Sequence, residues 1–114
     1  GSVRVAIDWL KAQPAPRALV LGALGELGPT SDDIHRELGR YAAEAGLDHL
    51  VVVAAAAPAA QGFGARAQQV ADATAAAQAV KDVLGEGGTV LVKGSRSARM
   101  EAVIEALRAM GGQH

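Results

Sequence analysis

Three short apolar runs constrain this chain more than anything else in it: Arg17-Ala18-Leu19-Val20-Leu21-Gly22, Leu50-Val51-Val52-Val53-Ala54 and Thr89-Val90-Leu91-Val92. Each is too brief for a helix and does not alternate apolar with polar, so each suits a strand buried on both faces, the habit of parallel sheets. Helical patterns separate them. Pro29-Thr30-Ser31-Asp32-Asp33 supplies hydroxyls and acids for a helix start, and the helix is expected to run to Ala45 with Ile34, Leu38, Tyr41, Ala42 and Ala45 inward and Gly46 at its C-cap. An earlier helix spans Val3 to Ala12 with Val3, Ile7 and Leu10 on one face, stopped by Pro14 and Pro16. The closing helix places Met100, Val103, Ile104, Leu107 and Met110 on one side and Glu101, Glu105 and Arg108 on the other, with Gly111-Gly112 after it. Between Ala55 and Ala79 alanine blurs the periodicity. We expect a short helix near 59–65, a short strand at 68–71 and a helix at 74–84 that buries Ala76, Val80 and Val83 or Leu84.

Strands alternating with helices over short connections define an α/β fold: a three-layer, Rossmann-like, mostly parallel sheet with helices on both faces. With 114 residues the chain is one domain, spanning 1–114, and Gly1-Ser2 reads either as a cloning remnant or as native chain. A net charge of −1 argues against a nucleic-acid footprint, which needs a surplus of cations on one face. The absence of cysteine removes disulfides and thiolate metal sites. No apolar run approaches the ~20 residues of a membrane span, and the start lacks the order of a signal peptide.

In such a sheet ligands meet the carboxyl ends of the strands, which directs attention to the loops after Leu21, Val53 and Val92. The turn Gly22-Ala23-Leu24-Gly25-Glu26-Leu27-Gly28 misses the glycine order of a dinucleotide fingerprint, and Pro29 with two acids follows before the helix. Its simplest reading is a tight turn using glycine for unusual backbone angles. The stretch Lys93-Gly94-Ser95-Arg96-Ser97-Ala98-Arg99 gathers three cations, two hydroxyls and a glycine just before a helix N-terminus, chemistry that suits a carboxylate or a phosphate. The alternative is structural: Ser97 caps the helix and the arginines are solvated or paired with Glu101 and Glu105. His35, His49 and His114 have no metal-ligand spacing. No phosphate-cradling G-x-x-x-x-G-K-[ST] loop and no nucleophile elbow occurs, so no catalytic residue and no metal ligand is assigned.

The run Val90-Leu91-Val92-Lys93-Gly94-Ser95-Arg96-Ser97-Ala98-Arg99-Met100-Glu101, continued by Val103-Ile104-Glu105-Ala106-Leu107, resembles the closing strand, loop and helix of the D-alanyl-D-alanine-adding branch of the Mur ligase family. Val20-Leu21-Gly22 through Glu26-Leu27-Gly28, followed by His35-Arg36-Glu37 and Gly39, is similar to that family's G-D-M-x-E-L-G turn and next helix, and Asp72 to the acid opening its penultimate helix. The likeness departs at Ala23, where the family usually has Asp, and over 55–71.

The resemblance implies a domain of an ATP-dependent ligase of bacterial peptidoglycan synthesis, cytoplasmic. There the tripeptide's terminal carboxylate is activated as an acyl phosphate and the D-Ala-D-Ala amine displaces phosphate. ATP and Mg2+ would be bound mainly by a central domain and UDP by an N-terminal one, neither present here, so the isolated chain is expected to bind no cofactor and to be inactive alone. Its implied partners are the remaining domains of the same enzyme and D-alanyl-D-alanine. Lys93, Gly94, Ser95, Arg96 and Arg99 would hold the dipeptide carboxylate, with Gly22, Ala23, Leu24 and Glu26 facing the cleft. Two other readings stand beside this one: a Mur ligase adding a different amino acid, and a stand-alone α/β binding module.

Overall fold

The computed structural model describes residues 2–24, 30–85, 87–94 and 99–111. In chain order the elements are α1 (Ser2–Lys11), β1 (Arg17–Leu21), α2 (Ser31–Glu44), β2 (His49–Val53), a short 3-10 turn (Ala54–Ala56), α3 (Pro58–Phe63), β3 (Ala67–Val70), α4 (Ala73–Leu84), β4 (Thr89–Lys93) and α5 (Glu101–Gly111). The four strands form one parallel sheet in the order β3-β2-β1-β4. The two central strands explain the unbroken apolar runs: Leu19, Leu21, Leu50 and Val52 point into one layer, Val20, Val51 and Val53 into the other. Each such side chain contributes about 1.5–3 kcal/mol when fully buried.

The first layer is built by α1, α2 and α3, with Val3, Ile7 and Leu10 of α1 buried as their spacing predicts; the second is built by α4 and α5. Helix ends follow local rules. Gly46 (φ +86) closes α2 with Gly46 N donating to Ala43 O and Leu47 N to Ala42 O, the paired bonds of a Schellman motif. Asp72 caps α4 by accepting from Ala75 N at 2.9 Å. At the start of α2, Thr30 stands at the N-cap without a side-chain capping bond, so the dipole is complemented by Asp32 and Asp33.

Three expectations are corrected. The inward face of α2 is His35, Leu38, Gly39 and Ala42, and Ile34 is 37% exposed. The face is turned because α3 lies against α2 so closely that only glycine fits: a Cβ on Gly39 would stand 1.9 Å from Ala59 O, and one on Gly62 2.0 Å from Arg36 O. On α5, Ile104 is likewise exposed, since Met100, Val103, Ala106 and Leu107 already cover the sheet. On α4, neither Val83 nor Leu84 is fully buried; Ala77 and Ala79 join Ala76 and Val80 instead. The side chain of Met110, and Gly112, lie outside what is described.

The amino end of the sheet is tied by polar contacts. Arg17 N donates to Asp48 Oδ2 at 2.7 Å, the Arg17 guanidinium lies 3.6 Å from the same carboxylate and donates to Lys11 O, and Thr89 donates to Pro16 O and Pro14 O.

Helices α1 and α2 are joined by Tyr41, whose hydroxyl donates to Asp8 Oδ1 at 2.6 Å while Arg4 lies over its ring. The bond to Asp8 holds the phenol above its ordinary value, aided by partial desolvation and the carboxylate charge and opposed by Arg4. Because the folded phenol keeps its proton longer than the unfolded one, this contribution to stability is complete below about pH 10 and is lost as pH rises through the folded value. Tyr41 is the only tyrosine, so phenolate absorbance follows it alone. Asp8→Ala is expected to lower its titration midpoint, and an unmoved midpoint would refute the coupling.

Candidate functional site

The strand order places a crossover reversal at β1. From it the chain moves through α2 to β2 on one side, and β4 later returns to the other. The chain leaves β1 for α2 on one face and β4 for α5 on the other, and the carboxyl ends of strands at such a switch point are where open α/β sheets bind ligands. The described starts of both loops singled out in the sequence, Gly22 to Leu24 and Lys93 with Gly94, lie at this end of the sheet.

Leu21 pairs with Lys93 at the last rung, and Gly22 N donates to Lys93 O at 2.8 Å, carrying the ladder one residue past β1. Gly94 follows directly and is partly buried. Arg99 is exposed and left-handed (φ +54), which costs a non-glycine residue energy and recurs at functional loops. It forms no ion pair with Glu101 or Glu105 among the described residues, so of the structural alternatives the solvated one remains open for this cation beside ligand binding. Ser95, Arg96 and Ser97 lie outside the described residues, as does Glu26.

On the β1 side, Gly22 is buried and Ala23 partly so, while Leu24 packs against the first core cluster and so serves the core. Gly22 is not in the left-handed region. Its lack of a side chain is needed for room instead: a Cβ there would meet Met100 Sδ at 2.7 Å and Cε at 2.9 Å. Met100 thus packs over Gly22 at the end of β1, a contact that reading it as one more apolar residue of α5 does not reveal.

Two further residues escape sequence reasoning. His35 is 1% exposed, its Nδ1 2.8 Å from Ser31 O and its Nε2 buried without a hydrogen-bond partner, a core histidine on the inward face of α2. Ala54, at the carboxyl end of β2, is left-handed at φ +51, in a run of alanines with no turn residue to announce it. Among the described residues no cluster of His, Asp or Glu could hold a metal ion, and no helix is long and apolar enough to cross a membrane.

A parallel α/β domain with its switch point between β1 and β4 is the class that the fold defines. Residues 1–96 match the family described as "Mur ligase, glutamate ligase domain", and the chain belongs to the Mur ligase family as a C-terminal domain of that type. It is 37% identical over 113 residues to the UDP-N-acetylmuramoyl-tripeptide--D-alanyl-D-alanine ligase of Escherichia coli (strain K12), covering 97% of this chain and 25% of that protein. With the ligase of the same name from Synechocystis sp. it shares 34% identity, covering 95% and 25%. Its fold superposes on a MurF ligase from Thermotoga maritima in complex with ADP (TM-score 0.80, 28% identity) and on MurF from Acinetobacter baumannii (TM-score 0.83, 31% identity), covering 95% of this chain and 25% of each. The chain thus spans about a quarter of the length of its relatives. The expected α/β class and the family resemblance both stand.

Proposed function

We propose that this chain serves an ATP-dependent ligase that joins D-alanyl-D-alanine to UDP-N-acetylmuramoyl-tripeptide in the bacterial cytoplasm, and that within it the loop from Lys93 to Arg99 holds the carboxylate of the incoming dipeptide. The observation that supports this reading is where that segment is rooted: Lys93 ends β4 beside Leu21 at the carboxyl end of the β1–β4 pair, its carbonyl accepting from Gly22 N, and Arg99 is exposed and unpaired among the described residues.

The chemistry follows from the residue types. Guanidinium groups grip a carboxylate by paired, charge-assisted hydrogen bonds, while Lys93 adds a point charge. Holding that end leaves the dipeptide amine free to be aimed at the activated acyl carbon, and a domain that closes over it excludes water. The described residues do not fit Mg2+, and the sequence has no phosphate-cradling loop. In this reading nucleotide and metal are held by the central domain; the ADP complex of the Thermotoga maritima relative agrees with a nucleotide-using reaction. The chain's own work is binding, orientation and closure.

The test uses the full-length ligase and D-alanyl-D-alaninamide, which keeps the amine and lacks the carboxylate. We expect kcat/KM to fall by about 10²-fold or more, as when a site built for a polar group meets an analogue lacking it. Equal use of amide and acid would overturn the assignment.

A further inference from the structure

We infer that Val5 and Trp9, on the outward face of α1, form the surface against which the domain preceding this one in the full-length ligase packs. The inference lies beyond the carboxylate assignment and does not use it. Helix α1 is already fixed in rotation by its other contacts. Val3, Ile7 and Leu10 are buried in the first core cluster, and Arg4 and Asp8 meet Tyr41 of α2, the one lying over its ring and the other accepting from its hydroxyl at 2.6 Å. Val5 and Trp9 each follow a member of that pair, about 100° further round the helix, and stand four residues apart, so they share a stripe turned away from both the core and α2. Val5 is 69% exposed and Trp9 52%, the two most exposed large apolar side chains among the described residues. Single exposed apolar residues are ordinary, but a neighbouring pair that includes the chain's only tryptophan has the make-up of an interface anchor.

What covers the pair follows from where the chain is joined. It spans about a quarter of its relatives and corresponds to their C-terminal domain, so the rest of such an enzyme leads into Ser2, where α1 begins. Val5 stands about one helical turn from that entry. At its other end α1 stops at Lys11, whose carbonyl accepts from the guanidinium of Arg17, the first residue of β1, so the helix lies over the sheet antiparallel to β1. Its first turn therefore stands toward the carboxyl ends of the strands, the end at which open α/β sheets bind ligands, and the preceding domain arrives there. A stable dimer needs about 800 Å² from each partner, and two side chains supply far less. A domain tethered one turn away is present at an effective concentration on the order of millimolar, so a small apolar contact holds it where it would not hold a separate copy.

The experiment is hydroxyl-radical footprinting read by mass spectrometry, on this chain and on the full-length ligase. Oxidation of Trp9 and Val5, measured relative to Ile104, is expected to be at least about fivefold slower in the full-length enzyme, because the centre of a packed interface excludes water. Ile104 is a fit reference, being 41% exposed on α5 in the opposite layer. In full-length ligase carrying Trp9→Gln, the Val5 rate should rise several-fold toward that of the isolated chain, since the anchor beside it is gone. Equal relative rates at Trp9 in the two proteins overturn the inference, as does a Val5 rate that Trp9→Gln leaves low. Protection of Trp9 in the isolated chain that grows with its concentration also overturns it, by giving this face to a second copy. Discrimination between D-alanyl-D-alanine and its amide tests the carboxylate site alone, so either reading can fail without the other.

Discussion

Gly39→Ala is expected to destabilise this domain by about 2–4 kcal/mol, although alanine is the better helix former by about 1 kcal/mol. The new Cβ would stand 1.9 Å from Ala59 O and 2.8 Å from Ala59 C. That neighbour is backbone inside α3 and cannot rotate away, so α3 must retreat by more than the width of a methyl hydrogen shell and take Ala59 and Ala60 out of the first core cluster. Gly62→Ala meets the same contact from the other side, 2.0 Å from Arg36 O, and should cost a similar amount. Gly87→Ala, with nothing within 4 Å, is the control and should be close to neutral. Urea unfolding of the three variants checks this, and a Gly39→Ala midpoint equal to that of Gly87→Ala would refute the close helix contact.

The largest functional effect is expected from Arg96→Ala in the full-length ligase: kcat/KM for D-Ala-D-Ala falls by about 10²–10³-fold, mainly through KM, while KM for ATP stays within about twofold. The reasoning is chemical. If the loop after β4 holds the dipeptide carboxylate, removing a guanidinium leaves that charge without paired donors in a site that excludes water. Arg96→Lys should recover only part of the loss, since an ammonium keeps the charge and not the fork. The amide analogue adds a second arm, because a variant lacking the carboxylate's partner should no longer distinguish acid from amide. An unchanged response of Arg96→Ala to the dipeptide would count against the assignment outright.

The strands were legible because β1 and β2 are buried on both faces, which demands uninterrupted Leu and Val and leaves no ambiguity with a surface strand. The caps were legible where the chemistry is local, as at Asp72 and Gly46. What stayed hidden depends on partners distant in sequence. Counting apolar residues assigns Ile34 to the core face of α2, whereas the true face follows Gly39, and nothing near Gly39 announces that Ala59 is waiting for it. Alanine between Ala54 and Ala60 offers no contrast between inside and outside, so the left-handed residue could not be read there, whereas Pro58, at the first position of α3, does mark the start of that helix. The cations that follow β4 declare themselves by type. Gly22 does not, because a residue chosen for the space it leaves to Met100 has no chemistry to display.

The central place of β1 also shapes how the chain comes to be folded. Its neighbours are β2, close behind it, and β4, about seventy residues further on, so one side of β1 has no partner until nearly the whole domain exists. At roughly 5–20 residues per second, synthesis leaves Leu19, Val20 and Leu21 beside an open sheet edge for several seconds. Parallel pairing across so long a loop is slow even then. The strand that ends at the proposed binding site is therefore also the segment of the newborn chain most in need of protection from its neighbours.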